Sequence, residues 1–533
     1  MKLLYQTFTV LIALLVLTHP MSGQEVIQYD HNFISATSPW LYSSNAAGLG
    51  TMPVSRFGYV EARFGKQNGG LCGINDSADS FDAGVQTESF IKISDKVHLY
   101  GNLEYNYFKG KNMGGPILMD PSYNPINFYE DADTTVGIRN KEIYHLIGGI
   151  SYNLNDKWSI GGKINYESAD RTKMKDPRFL TVWMDLGVSA GFRYAPTDAF
   201  SLGLNLAYRR TLEQVDGEII GLTDEKYFTF IDLGGFYGSR ELFDGSNGYV
   251  PVSETRPMFN SFYGGALQIE IGKDTKIFNE ISFMRRDGYY GKRSSTTVVY
   301  TEHSSNIIGY HGILLTGNKA NRHRVGLDFT YEGLNNTENI YRMNSEVGEY
   351  TVVEYFGQNE VLKRTDIHAS LFYTGYLGIT DFRPVWEFGA SADFNRRSSL
   401  TTIYPFYRNS SLSAINANLY GIRSLFVQQK NLLTLGVQGN FAMGFGDPKM
   451  DGTLASSSST APRSADAYLN KDFEYKTAMQ AGGCLTVRYT RFFKKNIAFY
   501  VEAKDRFDHL LKKAEYLPGN YRNILEVKVG CTF

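Results

Sequence analysis

The chain has 533 residues and a formal net charge of −1 at pH 7, so it offers no basic field to hold nucleic acid and no acidic one to gather cations. Tyrosine (37), phenylalanine (35) and glycine (53) are abundant and proline (15) is scarce, a balance that suits many strands and few rigid connectors and argues against a helical fold. The three scattered cysteines, Cys72, Cys484 and Cys531, exclude a disulfide scaffold or a cysteine zinc cluster and are read as structural.

In chain order, "MKLLYQTFTVLIALLVLTHPMSGQE" carries an early Lys2, an apolar core from Phe8 to Leu17, and Ser22 and Gly23 ahead of Gln24. This is the layout of a secretory signal peptide over residues 1–23, cleaved after Gly23. Beyond residue 24 no apolar run reaches the roughly 18 residues that a spanning helix needs. Residues 24–53 do not alternate. Their "SSNAAGLG" (43–50) reads as a turn or helix start capped by Ser44 or Asn45, and the segment is expected to be a plug or hatch in the barrel described next, or else a tail beneath it.

From residue 54 a period of two takes over. Stretches such as "IYHLIGGISYNL" (143–154), "WSIGGKINYES" (158–168), "FSLGLNLAYRR" (200–210), "HRVGLDFTYEG" (323–333) and "IAFYVEAKDRF" (497–507) each alternate for about ten residues, the length of a tilted membrane strand. In residues 201–209, Leu202, Leu204, Leu206 and Tyr208 share one face, and Ser201, Gly203, Asn205, Ala207 and Arg209 share the other. Tight polar turns are expected at 94–96, 155–157, 196–198, 273–275, 317–321, 378–381, 428–431 and 494–496. Long loops are expected at 109–142, 170–180, 212–258, 288–303, 335–362, 398–408, 446–472 and 509–520. Outer-membrane barrels have this asymmetry, with short periplasmic turns and long external loops. The turns define strand pairs and one further strand lies at each end, which gives an all-β, transmembrane antiparallel barrel of about 18 strands over residues 54–533. The range is 16–18 because residues 275–317 alternate poorly. Both termini then return to the periplasm, and the barrel's first partner is the lipid of the outer membrane.

The polar faces place Lys163, Glu167, Asp185, Arg193, Arg209, Asp328, Glu332, Glu387, Asp393, Arg488, Glu502, Lys504, Arg506, Glu526 and Lys528 inside. Opposite charges on neighbouring strands are expected to pair there. Neither sign dominates, which fits a solvated or plugged interior, or a permeation path lined by both signs. The run "YEDADTT" (129–135) gathers Glu130, Asp131 and Asp133 without the spacing of a calcium loop, so it reads as a solvated acidic run in an external loop. Tyr310 and His311 lack a suitably spaced serine, and no phosphate-cradling glycine loop, HExxH or GxSxG occurs. The chain is therefore expected to be no enzyme and to need neither cofactor nor metal.

The last strand, "NILEVKVGCTF" (523–533), alternates to a final Phe533. It resembles the C-terminal signal of outer-membrane barrels, which implies recognition by the barrel-assembly machinery. Asn45, Ala46 and Ala47 loosely resemble the Asn-Pro-Ala hatch of long-chain fatty-acid transporter-type barrels, with Ala46 in place of the proline, and the likeness implies a plug. Residues 113–194, through the Asp120-Pro121 pair, "NKEIYHL" (140–146) and "KMKDPR" (173–178), resemble a family of Gram-negative outer-membrane barrel proteins of gut-type anaerobes with no assigned function. That resemblance implies a barrel over nearly the whole mature chain and carries over no catalytic residue. The leading expectation is passive transport or binding of a small-molecule solute through a partly plugged lumen. The alternative is a surface scaffold with a closed lumen, whose loops 212–258 and 446–472 hold a protein partner. A secreted, glycan-binding β-protein is a third reading, opposed by the alternation of short turns and long loops.

Overall fold

The structure is a computed structural model. It describes residues 29–131, 135–221, 224–243, 249–250, 256–344, 352–428, 430–494 and 497–533; the predicted signal peptide lies outside them. The strands are numbered in chain order. The first eight are β1 (Arg56–Asn68), β2 (Asp79–Lys92), β3 (Val97–Met113), β4 (Asn127–Glu130), β5 (Gly137–Asn153), β6 (Trp158–Lys173), β7 (Arg178–Thr197) and β8 (Phe200–Glu218). The next eight are β9 (Phe228–Asp232), β10 (Tyr237–Leu242), β11 (Arg256–Ile271), β12 (Lys276–Gly291), β13 (Val299–Gly317), β14 (Asn321–Asn344), β15 (Val352–Leu377) and β16 (Trp386–Ile403). The last are β17 (Phe406–Gln428), β18 (Asn431–Phe445), β19 (Met450–Thr453), β20 (Arg463–Ser464), β21 (Gln480–Lys494), β22 (Ile497–Leu510) and β23 (Tyr521–Thr532).

All but β4, β9, β10, β19 and β20 form one antiparallel wall of 18 strands, closed where β1 pairs with β23 from Tyr59↔Thr532 to Asn68↔Asn523. Closure leaves no unpaired strand edge, which is what allows a sheet to stand in hydrocarbon. Gly58 and Phe533 exchange two backbone hydrogen bonds (2.9 and 3.0 Å), so the last residue completes the seam. The six predicted tight turns that lie wholly within the described residues fall at one rim, where β1 begins and β23 ends.

Sidedness follows the period of two. Phe200, Leu204, Leu206 and Tyr208 point outward and are exposed, whereas Ser201 and Asn205 between them are buried. Trp158 stacks on Tyr194 (4.3 Å between centroids) near the short-turn rim, and Tyr105 lies against Tyr144 (4.9 Å) nearer the other rim. On β6 the outward rings Trp158 and Tyr166 are eight steps apart, about 26 Å along the strand and about 20 Å along the barrel axis at a 40° tilt. An apolar belt of that height between aromatic girdles is a transmembrane surface, and the chain is an outer-membrane β-barrel. No described helix is long and apolar enough to cross a membrane; the strands cross it.

Several loop expectations are corrected. Residues 335–362 are mostly wall: β14 and β15 stay paired out to Asn344↔Val352. Residues 398–408 hold only a turn at Tyr404–Pro405, 174–177 are all that links β6 to β7, and 292–298 all that links β12 to β13. In the outer part of the β14–β15 ribbon both faces are wetted, and in the other extensions polar inner-face residues such as Arg171, Lys173, Thr401 and Arg408 are buried, so no hydrophobic period marks the ladder. Residues 275–317 form β12 and β13. They alternate poorly because inward Phe278, Ile313 and Leu315 pack on Trp40 of the N-terminal segment, so that both faces are apolar there.

Candidate functional site

The N-terminal segment packs against the inner wall near the short-turn rim. Asp30 caps the helix His31–Thr37, its Oδ1 accepting from the Phe33 amide (3.1 Å). Pro39 opens the next turn, Pro39–Tyr42. Trp40 is buried edge-on against Phe278, with the Arg193 guanidinium over its ring at 4.9 Å. Asn45, not Ser44, caps the 3-10 turn Ala46–Thr51: its Oδ1 accepts from the Ala47 amide (3.0 Å), and its Nδ2 donates to Phe192 O (2.9 Å) and Gln268 Oε1 (3.1 Å). The Ala47 carbonyl accepts from Ser151 and Ser159, both at 3.2 Å. Ala46 and Ala47 lie so close to the wall that a Cβ on Gly161 would stand 2.3 Å from the Ala47 nitrogen. On β2, Glu88 accepts from Tyr42 (3.0 Å) and Tyr100 (2.9 Å) and meets His31 at 3.2 Å.

Toward the other rim, residues 114–131 do not stay outside as an external loop. They turn into the barrel, and wall side chains hold their backbone. Arg171 donates to Leu118 O (2.7 Å), Thr181 to Ile117 O (2.8 Å), and Arg139 to Pro116 O. Arg286 donates to Tyr123 O (3.3 Å) and Asn124 Oδ1 (3.1 Å), Arg364 to Asn124 O (3.2 Å), and Arg397 to Ser122 O (3.1 Å). Glu213 accepts from the Met119 amide and Asn124 Nδ2, both at 2.7 Å. A loop with no full ladder of its own leaves carbonyls orphaned, and forked guanidinium donors satisfy them. The cations are balanced by Glu332 on Arg286 (3.3 Å) and by Asp366, which meets Arg364 (2.9 Å) and Arg397 (2.5 Å).

The acidic run is likewise corrected. Glu130 is buried between Arg139 and Lys173 (2.6 Å to the latter), and Asp131 meets Arg240 (2.6 Å) and Arg463 (3.0 Å); Asp133 lies outside the described residues. Strand β4 joins β9, β10 and β20 in a four-stranded inner sheet of order β20-β10-β9-β4, drawn from three separate connections. A core of Ile117, Ile126, Phe128, Phe179, Ile231 and Phe243 seals it to the wall. Asp232 at the end of β9 accepts from the Gly234 (2.8 Å) and Tyr237 (3.2 Å) amides. Burial nonetheless outweighs those amides and Arg408, and pushes its carboxyl up to about 6.

Between the clasped loop, the turn Gly234–Phe236, the helix Asp466–Thr477 and the wall from β14 to β18 lies a cavity of about 870 Å³. Its wall side carries Asn395, Asn416, Asn418 and Asn440, with the ion-paired Asp366, Arg397 and Arg506. The volume suits a small-molecule ligand.

All fifteen predicted lumenal residues alternate to the inner face. Asp185 and Arg209 form a two-pronged pair (2.6 Å), Arg488 meets Glu502 (3.8 Å), and Lys528 meets Glu61 (3.3 Å) and Glu526 (3.8 Å). Asp328 meets His311 (2.5 Å), Glu332 meets Arg286, and Arg506 meets Asp508 (2.8 Å). Glu167 accepts from Trp183 (3.0 Å) and Glu387 from Tyr420 (3.0 Å), while Lys163 and Arg193 lie over Tyr100 and Trp40. Asp393 and Lys504 join none of these pairs. Of the fifteen, only Glu332 and Arg506 line the cavity. The prediction missed Arg139, Arg171, Arg286, Arg364, Arg397 and Glu213. A signal was there, in arginines at inward parity facing a loop punctuated by Pro116, Pro121 and Pro125. Cys72, Cys484 and Cys531 are free thiols, the first two buried.

A family model matches residues 46–533, from the N-terminal turn through to the closing strand. The chain belongs to the family of unknown function DUF6850. No curated protein matches the sequence. Among solved structures, the chain is similar to the ferric preacinetobactin receptor BauA of Acinetobacter baumannii, with 9% identity, 89% of this chain and 80% of that one covered, and a TM-score of 0.39. It is similar to the closed form of the ferric-catecholate import receptor Fiu of E. coli K12, with 7% identity, 90% and 82% covered, and a TM-score of 0.38. It is also similar to a deletion mutant of the monoaromatic hydrocarbon channel TodX, with 10% identity, 96% of each chain covered, and a TM-score of 0.31.

Proposed function

We propose that this DUF6850 barrel binds a small polar solute and lets it pass through a partly plugged lumen, without catalysing a reaction. The short-turn rim and both chain ends then face the periplasm, and the long loops face outward. The observation that carries this reading is the cavity of about 870 Å³ between wall and loop, beside which Arg364 and Arg397, both paired with Asp366, hold the loop's carbonyls. The two stoppers are held differently. The inward loop is gripped by buried charged groups on many strands, whereas the N-terminal segment rests on packing, on neutral hydrogen bonds and on fewer charged groups, Glu88, Glu280 and Arg193. The N-terminal segment is therefore the stopper that yields, and it acts as the plug.

Planar-bilayer conductance and solute flux into vesicles test this with the full chain and with Glu88→Ala, which removes the acceptor of Tyr42 and the partner of His31. The expected result is low solute flux that rises in the variant. If both proteins stay silent in both assays, the passage reading fails. A second reading, a surface scaffold holding a protein partner, draws support from the β14–β15 ribbon, which carries exposed Met343, Tyr355 and Phe356 beyond the belt. A silent barrel that captures a surface protein through that ribbon would establish it.

A further inference from the structure

Most of the cavity's charges are already paired. Arg364 and Arg397 share Asp366, Lys476 pairs with Asp472 (2.7 Å), and Arg506 pairs with Asp508 (2.8 Å). Asp120 turns one oxygen to the amide and hydroxyl of Ser122 (2.8 and 2.7 Å). Among the described residues, every arginine and lysine in the lining but Arg396 has a carboxylate partner, and Arg396 alternates to the outer face. An anionic solute entering here would have to break one of these pairs or stay unpaired in a partly desolvated site, both costly, and a cation would meet only the second oxygen of Asp120 at the exposed edge.

What the wall leaves uncommitted is neutral. Asn416 makes no side-chain hydrogen bond with any described residue. Asn440 donates from Nδ2 to Asp508 (2.8 Å), while its Oδ1 is buried with no partner. Asn395 engages His368 Nδ1 through Oδ1 (2.8 Å) and leaves its NH2 unused. Register brings these amides together on adjacent strands: Asn418 stands directly opposite Asn440, and Asn416 lies two residues along on the same face of β17. Asn418 is engaged on both sides, donating to Ser391 Oγ and accepting from Gln438 Nε2, each at 3.3 Å; the free groups are the donor and acceptor of Asn416, the NH2 of Asn395 and the Oδ1 of Asn440, a mixture that matches hydroxyl groups, since they both donate and accept. From the loop side, Phe236, Leu469 and Phe473 add apolar surface, which suits the C–H faces of a sugar ring.

We infer that the lumenal cavity is a binding site for a neutral polyhydroxylated solute, a short oligosaccharide, read by the amides of Asn395, Asn416 and Asn440. This rests on the solute-passage reading above and names the solute class for the same site.

The test is binding to the full-length protein in lauryldimethylamine oxide, a detergent without a sugar head group. Maltotriose, cellotriose, xylotriose and mannotriose are titrated by calorimetry and saturation-transfer NMR, with trialanine, trilysine and tricarballylate as probes of comparable size. At least one neutral trisaccharide binds saturably, and the charged probes and trialanine bind at least tenfold more weakly. Asn416→Leu and Asn440→Leu each lower saccharide affinity tenfold or more, in proteins that keep wild-type circular dichroism and heat-modifiable gel mobility. If none of the four saccharides binds, if a charged probe or the peptide binds best, or if both leucine variants bind like wild type, the inference is overturned. Should both variants misfold, Asn416→Asp and Asn440→Asp replace them, with the same tenfold loss expected and unchanged binding again overturning the inference. Vesicle flux separates the two levels: solute flux without saccharide binding sinks this inference alone, and saccharide binding without flux sinks passage while leaving the site.

Discussion

Glu130 offers the sharpest test of how the inward loop is held. Its side chain is 1% exposed, and its cationic neighbours Arg139 and Lys173 are 1% and 0% exposed. Glu130→Gln keeps the shape and one acceptor but leaves two buried cations facing a neutral amide. Breaking a buried pair by removing one partner costs about 3–5 kcal/mol, which at 1.4 kcal/mol per tenfold is roughly a hundred- to a few-thousandfold in the local opening equilibrium. The reporters are the Ile117 amide, which donates to Phe128 O (2.8 Å), and the residue-130 amide, which donates to Gly115 O (3.0 Å). Hydrogen exchange of the full chain in micelles should show their protection fall at least a hundredfold, while the wall amides of β6 and β7 stay unchanged. Adding Lys173→Met removes one stranded cation and should restore part of the protection. A fall of less than tenfold in the single variant, or no recovery in the double, would refute the view that charge pairing anchors this loop.

Trp40→Ala should loosen the N-terminal segment by about 3–5 kcal/mol, the cost of emptying a large aromatic site, and limited proteolysis should then cut within residues 29–54; an unchanged cleavage rate would count against the packing described. Leu206→Arg, at the middle of the apolar belt, should cost about 2–4 kcal/mol in urea unfolding from lipid vesicles, whereas Ala207→Arg on the lumenal face should cost clearly less; equal costs would break the assigned sidedness. Asp232 binds its proton more tightly folded, with its carboxyl at about 6, than unfolded, near 3.9. Its contribution is therefore fully present below about pH 4, and the stability of the inner sheet falls as pH rises from about 4 to about 6, by something like 2–3 kcal/mol. Hydrogen exchange of the β9 and β10 amides, corrected for intrinsic rates, should show that slope in the wild type and lose it in Asp232→Asn.

The wall was largely legible because its physics is local. The tight turns within the described residues lie where short polar residues interrupt two alternating runs, and the fifteen inward charges share the inner face because parity along a strand admits no other arrangement. Legibility ended where neighbours are distant in sequence. Glu130 reads as solvated beside Asp131 and Asp133, and only the fold brings Lys173 and Arg139 around it. Residues 335–362 read as loop because a ladder wetted on both faces carries no hydrophobic period.

Sequence by itself determined that alternate residues meet lipid, that about 18 strands close the wall, and that the first wall strand begins at the rim where the last one ends, since these follow from a period of two and from turn chemistry within a few residues. Only the tertiary structure decided what fills the cylinder. Whether a loop stands in water or turns inward depends on whether the far wall offers donors for its carbonyls and partners for its charges. Arg286, Arg364 and Arg397 lie more than 150 residues beyond the loop they grip, a separation that no local pattern can span.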